Sequence, residues 1–280
     1  MAYRVGLAFL GLLGVIFPTN LPAGSIPASR LPQIRSAAAL VQDLNSGELL
    51  IAKRADLAVP IASITKLMTA MAILDARLNM SETLTIEESD KDRVRNSHSH
   101  LFIGTRLTRG EALLVALMAS ENRAANALGR TFPGGVAALV KAMNAKARAL
   151  KLTETKFADP TGLSDSNVSS ARDIARLAIE ASNYPDICKF TTTPEFTLKS
   201  GRKQMQFVNT NSLVRSSRWQ IALSKTGYIG EGGRGLVMKT RLAQRPILIV
   251  LLNSVGKNTR IGDANRIRQW IEGPAASKKK

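Results

Sequence analysis

The pattern of apolar and polar positions predicts short strands at both ends of the chain. Residues 37–43 and 48–53 are two apolar runs separated by the turn-forming tripeptide Asn45-Ser46-Gly47. Residues 236–242 and 246–253 form a second apolar pair near the other end. Because an isolated hairpin is barely stable in water, we expect strands from both ends to meet in one sheet.

Between these strands the apolar positions recur at helical spacing. Thr108 and Glu111 form a capping-box pattern before an apolar run, and Ser170 and Asp173 form a second one. The strongest amphipathic stripe begins at residue 62. The pattern predicts helices at 62–78, 111–119, 123–130, 136–150, 171–182 and 259–272, a short strand at 83–87 and a polar loop at 90–100. The fold class is therefore α+β, a sheet with helices covering it.

The first 28 residues are predicted to be a secretory signal. Arg4 supplies a positive start, and residues 5–17 form an uncharged apolar run, too short to span a bilayer. A buried core helix is the alternative interpretation, but a Pro-rich stretch follows directly. The predicted division is a signal peptide and linker at 1–28 cleaved near 23–28, one domain at 29–272, and a basic tail at 273–280. The mature protein is then expected in the periplasm or cell envelope.

Composition indicates a globular domain of strongly basic character. Hydrophobic residues make up 45% and charged residues 21% of 280 positions, with a formal net charge of +18. This charge favours either polyanionic partners or simply a positively biased surface. Nucleic acid is disfavoured because the basic residues are scattered and aromatics make up only 5%. No run after the N-terminal segment is long enough to span a membrane, so we expect peripheral membrane contact at most. The single cysteine, Cys188, is interpreted as a buried apolar residue rather than a reactive thiol.

The first candidate for chemistry is Ser63, at the start of a helix, with Lys66 three residues later. This spacing places both side chains on one face, one turn apart. A serine hydroxyl needs an adjacent base to attack a carbonyl, and a lysine amine can act as that base if burial lowers its pKa. Ser-x-x-Lys also begins at Ser200, Ser254 and Ser277. Taken alone, the motif is better explained by a capping serine and a surface lysine.

Two further motifs contain the residue types that such a serine would need. Ser120 and Asn122 interrupt two helical stretches, where a hydroxyl could relay a proton and an amide could hold the lysine. Lys225, Thr226 and Gly227 suit a strand beside a cleft, where a cation and a hydroxyl can bind a carboxylate. Taken alone, the former motif is more typical of an ordinary helix-junction cap, and the latter of a turn or edge strand. Their joint occurrence in this order is the known pattern of penicillin-binding proteins and class A β-lactamases.

The sequence around these motifs resembles the D-alanyl-D-alanine endopeptidase branch of the low-molecular-weight penicillin-binding proteins. The matching segments are 60–69, 117–125, 141–144, 159–163 and 224–229. The resemblance covers about residues 35–272. It implies one penicillin-binding, β-lactamase-like domain, with a central antiparallel sheet covered by helices on both faces and a helical subdomain.

The resemblance also implies a role for each site residue. Ser63 is the expected nucleophile, Lys66 its base and Ser120 the proton relay, supported by Asn122. The other expected contributions are substrate binding by Lys225, Thr226 and Gly227, and an oxyanion hole formed by the backbone N–H groups of Ser63 and Tyr228. The expected substrates are peptidoglycan stem peptides, with β-lactams as covalent inhibitors and no metal or organic cofactor.

Several other functions remain open from the sequence. A serine β-lactamase shares all three motifs but usually has a Glu-x-x-Leu-Asn segment, which this sequence lacks. A Ser-His-Asp hydrolase or a zinc site would have to use His98 or His100, which are expected to be loop residues. A catalytically silent wall-binding homologue is the alternative outside the enzymes. Endopeptidase and carboxypeptidase activities use the same residues, so the preference for the former rests on resemblance alone.

Overall fold

The computed structural model describes residues 31–273 together with Met1. The predicted signal peptide and nearly all of the basic tail lie outside the described residues. The described strands are β1 (Ala38–Asp43), β2 (Leu49–Lys53), β3 (Val59–Pro60), β4 (Thr83–Thr85), β5 (Arg106–Thr108), β6 (Val168–Ser169), β7 (Glu195–Ser200), β8 (Lys203–Val208), β9 (Gln220–Ile229), β10 (Gly233–Leu242) and β11 (Arg245–Ser254). The described helices are α1 (Lys66–Asp75), α2 (Arg109–Met118), α3 (Asn122–Arg130), α4 (Gly135–Ala149), α5 (Ala171–Ala181), α6 (Pro185–Thr192) and α7 (Thr259–Glu272).

Strands from both ends of the chain form one antiparallel sheet, as the sequence predicts. Its order is β2-β1-β11-β10-β9. In the β1–β11 pair Leu40 lies opposite Val250, and in the β9–β10 pair Lys225 lies opposite Val237. The strand that carries the Lys-Thr-Gly motif is therefore an edge strand of the main sheet. Its position leaves one side of the motif open to the rest of the molecule.

Helices cover both faces of this sheet, which explains the uninterrupted apolar run of β11. On one face α7 packs against β10 and β11, and the buried residues there include Trp219, Met238 and Ile267. On the other face α1 and α5 belong to a larger core that continues into the helices between the strands. A strand that is buried on both faces needs apolar side chains at every position rather than at alternate ones.

The predicted helix at 62–78 is shorter than expected and begins differently. Residues Ala62–Thr65 form a 3₁₀ turn, and the α-helix begins only at Lys66 and ends at Asp75. Ala62 has a φ of 50° and Arg77 a φ of 50°, so left-handed residues flank the helix at both ends. Ser63 therefore lies in the 3₁₀ turn, and Lys66 is the first residue of the α-helix.

Other expected elements agree with the structure to different degrees. The Thr108 capping box is complete, because Glu111 N donates to Thr108 Oγ1 and Thr108 N donates to Glu111 Oε2. The Ser170 cap is only half a box, since the carboxylate of Asp173 accepts from Glu154 N instead. The strand expected at 83–87 ends at Thr85. The β7–β8 hairpin and α6 are elements that the sequence interpretation did not predict.

Residues 31–273 lie within one compact unit. None of the helices in this part of the chain combines the length and the apolarity needed to cross a membrane.

Candidate active site

The Ser63 hydroxyl lies beside a buried amine. Ser63 is in the 3₁₀ turn, and Lys66 is the first residue of α1. Lys66 Nζ lies 2.9 Å from Ser63 Oγ. The predicted pairing of these two residues is therefore present at hydrogen-bonding distance.

The amine of Lys66 is only 1% exposed and is held by two further acceptors. It donates to Asn122 Oδ1 at 2.7 Å and to the carbonyl oxygen of Thr161 at 2.7 Å. Burial lowers the pKa of Lys66 from 10.5 to about 7, against the opposing charges of Asp159, Glu121 and Asp92. A large fraction of the Lys66 side chains is therefore neutral near pH 7 and able to accept a proton.

The second motif lies where α2 ends and α3 begins. Ser120 has a φ of 58°, a left-handed conformation that turns the chain between the two helices. Asn122 bridges two parts of the site, because its Oδ1 accepts from Lys66 and its Nδ2 donates to Ser97 Oγ at 2.8 Å. Glu121, which lies between Ser120 and Asn122 in the sequence, is buried, and its carboxylate accepts from Ser99 Oγ at 2.6 Å. The polar loop before residue 101 is thereby attached to the motif.

The third motif reaches the second one through Lys225. Its amine donates to Ser120 Oγ and, at 3.0 Å, to the carbonyl of Thr226. Lys225 is 1% exposed, and burial together with the charge of Lys66 lowers its pKa well below the usual value. Thr226 Oγ1 lies 2.6 Å from Thr210 Oγ1. Ser120 is thus hydrogen-bonded to Lys225, whereas Lys66 is bonded to Asn122.

Gly227 lets the edge strand approach the turn that carries Ser63. A Cβ built at Gly227 would lie 2.7 Å from the carbonyl oxygen of Ile61. Any side chain there would push the strand away from the turn. The next residue, Tyr228, is 61% exposed, and the guanidinium of Arg234 lies 4.0 Å from the centre of its ring. The backbone of β9 therefore lines the site, while its aromatic side chain faces solvent.

The structure adds a fourth segment, 159–167, to which the sequence interpretation assigned no role. The carbonyl of Thr161 accepts from Lys66, and Gly162, with a φ of 81°, is packed against the carbonyl oxygen of Ala62. The Asp159–Gly162 stretch contains turn-forming residues, and in the sequence it contributes only to the family resemblance. No periodicity or motif indicates that a backbone carbonyl of this turn faces the lysine.

The two histidines do not join this site by any hydrogen bond of their side chains. His98 and His100 are exposed, and their rings meet edge to face with centroids 5.1 Å apart. Within residues 31–273 there is no group of three His, Cys, Asp or Glu side chains placed to hold a metal ion. Cys188 is half-buried rather than fully buried as expected, and burial raises the pKa of its thiol.

The arrangement has the parts needed for acyl transfer. A nucleophilic hydroxyl contacts an amine whose pKa lies near neutrality, which meets the two requirements of an activated serine. A second hydroxyl, Ser120, is hydrogen-bonded to a second buried lysine, Lys225. These groups come from three segments that are distant in sequence, and contacts among the segments bring the seven predicted catalytic, supporting and substrate-binding residues together.

Comparisons with known proteins agree with this chemistry. The family model described as D-alanyl-D-alanine carboxypeptidase, peptidase S11, matches residues 26–256. A D-alanyl-D-alanine endopeptidase of Pseudomonas aeruginosa is 43% identical over 95% of this chain and 89% of its own length. One from Escherichia coli is 42% identical over 96% and 89%. The crystal structure of the Streptomyces K15 DD-transpeptidase superposes with a TM-score of 0.79 at 26% identity, covering 85% of this chain and 97% of that one.

Proposed function

Because this chain belongs to the peptidase S11 family of serine D-alanyl-D-alanine peptidases, we propose that Ser63 is its nucleophile and Lys66 the base that activates it. The observation that carries this assignment is the 2.9 Å contact between Lys66 Nζ and Ser63 Oγ, in surroundings that bring the pKa of the lysine to about 7. Family membership and enzyme class agree with the sequence interpretation. The residue roles are the part that is proposed.

The first half of the reaction forms an acyl-enzyme. Ser63 Oγ attacks the carbonyl carbon of a D-alanyl residue while its proton passes to neutral Lys66. The oxyanion is stabilised by the backbone N–H groups of Ser63 and Tyr228, a placement supported by the close packing of β9 on the Ser63 turn. Loss of one such donor typically costs about 100- to 1,000-fold in rate.

The second half releases the amine and then the acid. As the C–N bond breaks, Ser120 Oγ gives its proton to the leaving nitrogen and receives the proton that Lys66 took from Ser63, so that Lys66 becomes neutral again. The contact of Ser120 Oγ with Lys225 supports this relay. Water then attacks the Ser63 ester while Lys66 takes a proton from the water, and Lys66 gives that proton to Ser63 Oγ as the C–O bond breaks, so that the free acid leaves and the serine is restored. No step requires a metal or an organic cofactor.

Recognition of substrate is assigned to the third motif. Lys225 and Thr226 bind a carboxylate of the peptide, and Gly227 lets the peptide backbone lie against β9. Lys225 is buried with a lowered pKa in the free protein, so an arriving carboxylate would favour its charged form. The same geometry accepts a β-lactam, which presents a reactive amide carbonyl and a carboxylate.

Cross-linked stem peptides are the preferred substrates that we propose. Relatives named D-alanyl-D-alanine endopeptidase are 43%, 42% and 34% identical to this chain, whereas one named D-alanyl-D-alanine carboxypeptidase, from Bacillus subtilis, is 32% identical. The greater similarity to the endopeptidases supports cutting of cross-links over trimming of terminal D-alanine. A peptidoglycan substrate in turn supports an exported protein of the periplasm or cell envelope.

A fluorescent penicillin tests the residue roles. Wild-type protein should become covalently labelled, and Ser63→Ala should not, while Ser99→Ala, on the neighbouring loop, should still be labelled. Labelling of Ser63→Ala at the wild-type rate would refute the assignment. A label that persists for many minutes supports a DD-peptidase, and rapid release supports a β-lactamase instead. Failure of the wild type to be labelled by any β-lactam would favour a silent wall-binding homologue.

A separate experiment tests the substrate preference. Purified protein is incubated with cross-linked muropeptide dimers and, separately, with uncross-linked pentapeptides, and the products are separated by chromatography. Faster conversion of dimers to monomers supports the endopeptidase assignment. Faster loss of terminal D-alanine from the pentapeptide contradicts it but leaves the Ser63 mechanism intact.

A further inference from the structure

The carboxylate of Asp159 organises the turn that touches Lys66. Its Oδ1 accepts from the backbone N–H groups of Thr161 at 2.6 Å and Gly162 at 2.8 Å, and from the Thr161 hydroxyl at 2.5 Å. Its Oδ2 accepts from Ser164 N at 2.9 Å and from Asn167 Nδ2 at 2.6 Å. Five donors thus converge on one side chain, and this fixes the path of the backbone from 159 to 167.

This turn is attached to the nucleophile segment at several points. The Thr161 carbonyl accepts from Lys66 Nζ, and the carbonyl of Pro160 accepts from Thr69 Oγ1 at 2.8 Å, one helical turn further along α1. Gly162 packs against the carbonyl of Ala62, where a Cβ would overlap that oxygen. The backbone that Asp159 orders is therefore the wall against which both Ser63 and Lys66 are placed.

We propose that Asp159 is a positioning residue for the proton-accepting Lys66, acting through the carbonyl of Thr161 and through its own negative charge. The proposal deepens the function assigned above and rests on Lys66 being the base. Asp159 makes no hydrogen bond to Ser63 or Lys66 itself. Its effect is to hold the carbonyl that orients the lysine amine, and to keep a negative charge near a buried cation.

Opposing charges surround this lysine from several elements. Asp159 on the turn, Glu121 at the start of α3 and Asp92 in the polar loop all favour the protonated amine, and Asp159 is the strongest of the three. Lys225 on β9 is the other buried amine of the site, and burial together with the charge of Lys66 lowers its pKa well below the usual value. Removal of the Asp159 charge should therefore lower the pKa of Lys66 further, as expected for loss of a nearby opposite charge.

The variant Asp159→Asn removes the charge and half of the acceptor capacity. An amide oxygen can still accept from Thr161 and Gly162, but the amide NH₂ then faces two donors, Ser164 N and Asn167 Nδ2. We expect the plateau rate of penicillin acylation to fall roughly 10- to 100-fold, the range that small displacements of catalytic groups produce. We also expect the pH midpoint of acylation to move down by about one pH unit.

Two further variants separate position from charge and from simple loss of stability. Thr161→Ala keeps the Asp159 charge but deletes one of its donors, so the plateau should fall without a downward shift of the midpoint. Asp173→Asn is the matched control, because Asp173 is a buried carboxylate that accepts from Glu154 N and from Thr155 Oγ1. It should lower the melting temperature while leaving the pH midpoint at the wild-type value.

The readouts distinguish failure of this inference from failure of the function. Acylation by fluorescent penicillin is followed from pH 5 to 9, and the Lys66 side chain is titrated by NMR in each protein, which requires no activity. If the wild type is acylated, and Asp159→Asn has the same plateau rate and the same pH midpoint as the wild type, the positioning role is refuted. If wild type does not acylate, the assigned function fails, and the NMR midpoints still decide whether Asp159 controls the amine. If Asp159→Asn does not fold, an unchanged plateau rate in Thr161→Ala refutes the inference, and a reduced one supports it.

Discussion

Lys66 Nζ and Asn122 Oδ1 lie 2.7 Å apart, although 56 residues separate them in the sequence. This contact joins the first motif to the second and leaves the Asn122 amide nitrogen to hold Ser97. Asn122 therefore acts as a bridge between the base and the loop that borders it. The lowered pKa of Lys66 depends on this acceptor being a neutral amide, because a carboxylate at the same place would favour the charged amine.

The pH dependence of acylation should follow the ionisation of Lys66. Only the neutral amine can accept the Ser63 proton, and its pKa is about 7, so the acylation rate should rise with pH through about 7. Stopped-flow measurement with a fluorescent penicillin from pH 5 to 9 checks this. Lys66→Arg, which cannot lose its proton at these pH values, should acylate at least about 100-fold more slowly at every pH. A flat wild-type profile would contradict the assignment of the base.

Replacement of Asn122 by aspartate should move that profile upward. A carboxylate at hydrogen-bonding distance favours the charged amine, so in Asn122→Asp the midpoint should rise by about one pH unit or more. Acylation at pH 7 then falls by about fivefold or more, because the neutral fraction of the amine falls, and it recovers at higher pH. Asn126→Asp, one turn further along α3, is the control and should leave the midpoint near its wild-type position. An unchanged midpoint in Asn122→Asp would mean that the contact with Lys66 is not maintained in solution.

Removal of the buried amine should stabilise the fold while abolishing activity. The folded-state pKa of Lys66, about 7, lies below its usual value of 10.5, so the unfolded chain binds more protons between these values. Stability of the wild type should therefore rise with pH relative to Lys66→Met. The methionine variant should melt roughly 2–4 °C higher at pH 7, about 1 kcal/mol for a domain of this size. Its advantage should be greatest below pH 7 and should turn into a disadvantage as the pH rises toward 10.5, because the lowered pKa of Lys66 corresponds to several kcal/mol between those pH values. Thermal melts at several pH values measure this difference, and an advantage that grows with pH would be incompatible with a lowered pKa.

Gly227 and Gly230 offer a paired test of the contact between β9 and the nucleophile turn. A Cβ at Gly227 would lie 2.7 Å from the Ile61 carbonyl, whereas a Cβ at Gly230 would meet no atom within 4 Å. Gly227→Ala should cost about 1–3 kcal/mol of stability and slow acylation by at least 10-fold, because the strand must move away from Ser63. Gly230→Ala should change the stability by no more than about 0.5 kcal/mol and the acylation rate by no more than about twofold. Equal effects from the two substitutions, measured by melting and by penicillin labelling, would argue against a specific role for the close approach.

Much of the architecture can be read from local patterns. The paired apolar runs at the two ends predict β1, β2, β10 and β11, and the terminal helix has the predicted bounds at 259–272. The β7–β8 hairpin and α6 were missed, although residues 195–200 and 203–208 alternate in burial. The predicted helix at 62–78 overshot both ends of α1, because left-handed backbone at Ala62 and Arg77 has no apolar signature.

The amino-acid sequence alone indicates which residue types are available for the chemistry, through three motifs in one order, and it predicts a sheet built from both ends of the chain. Tertiary structure decided that Lys66 and Lys225 are buried, that Ser120 bonds one lysine and Asn122 the other, and that the Thr161 carbonyl faces the amine. The physical reason is that the pKa of an amine is set by the water it has lost and by the dipoles and charges around it. Those surroundings come from segments whose order in the sequence says nothing of their distances in space.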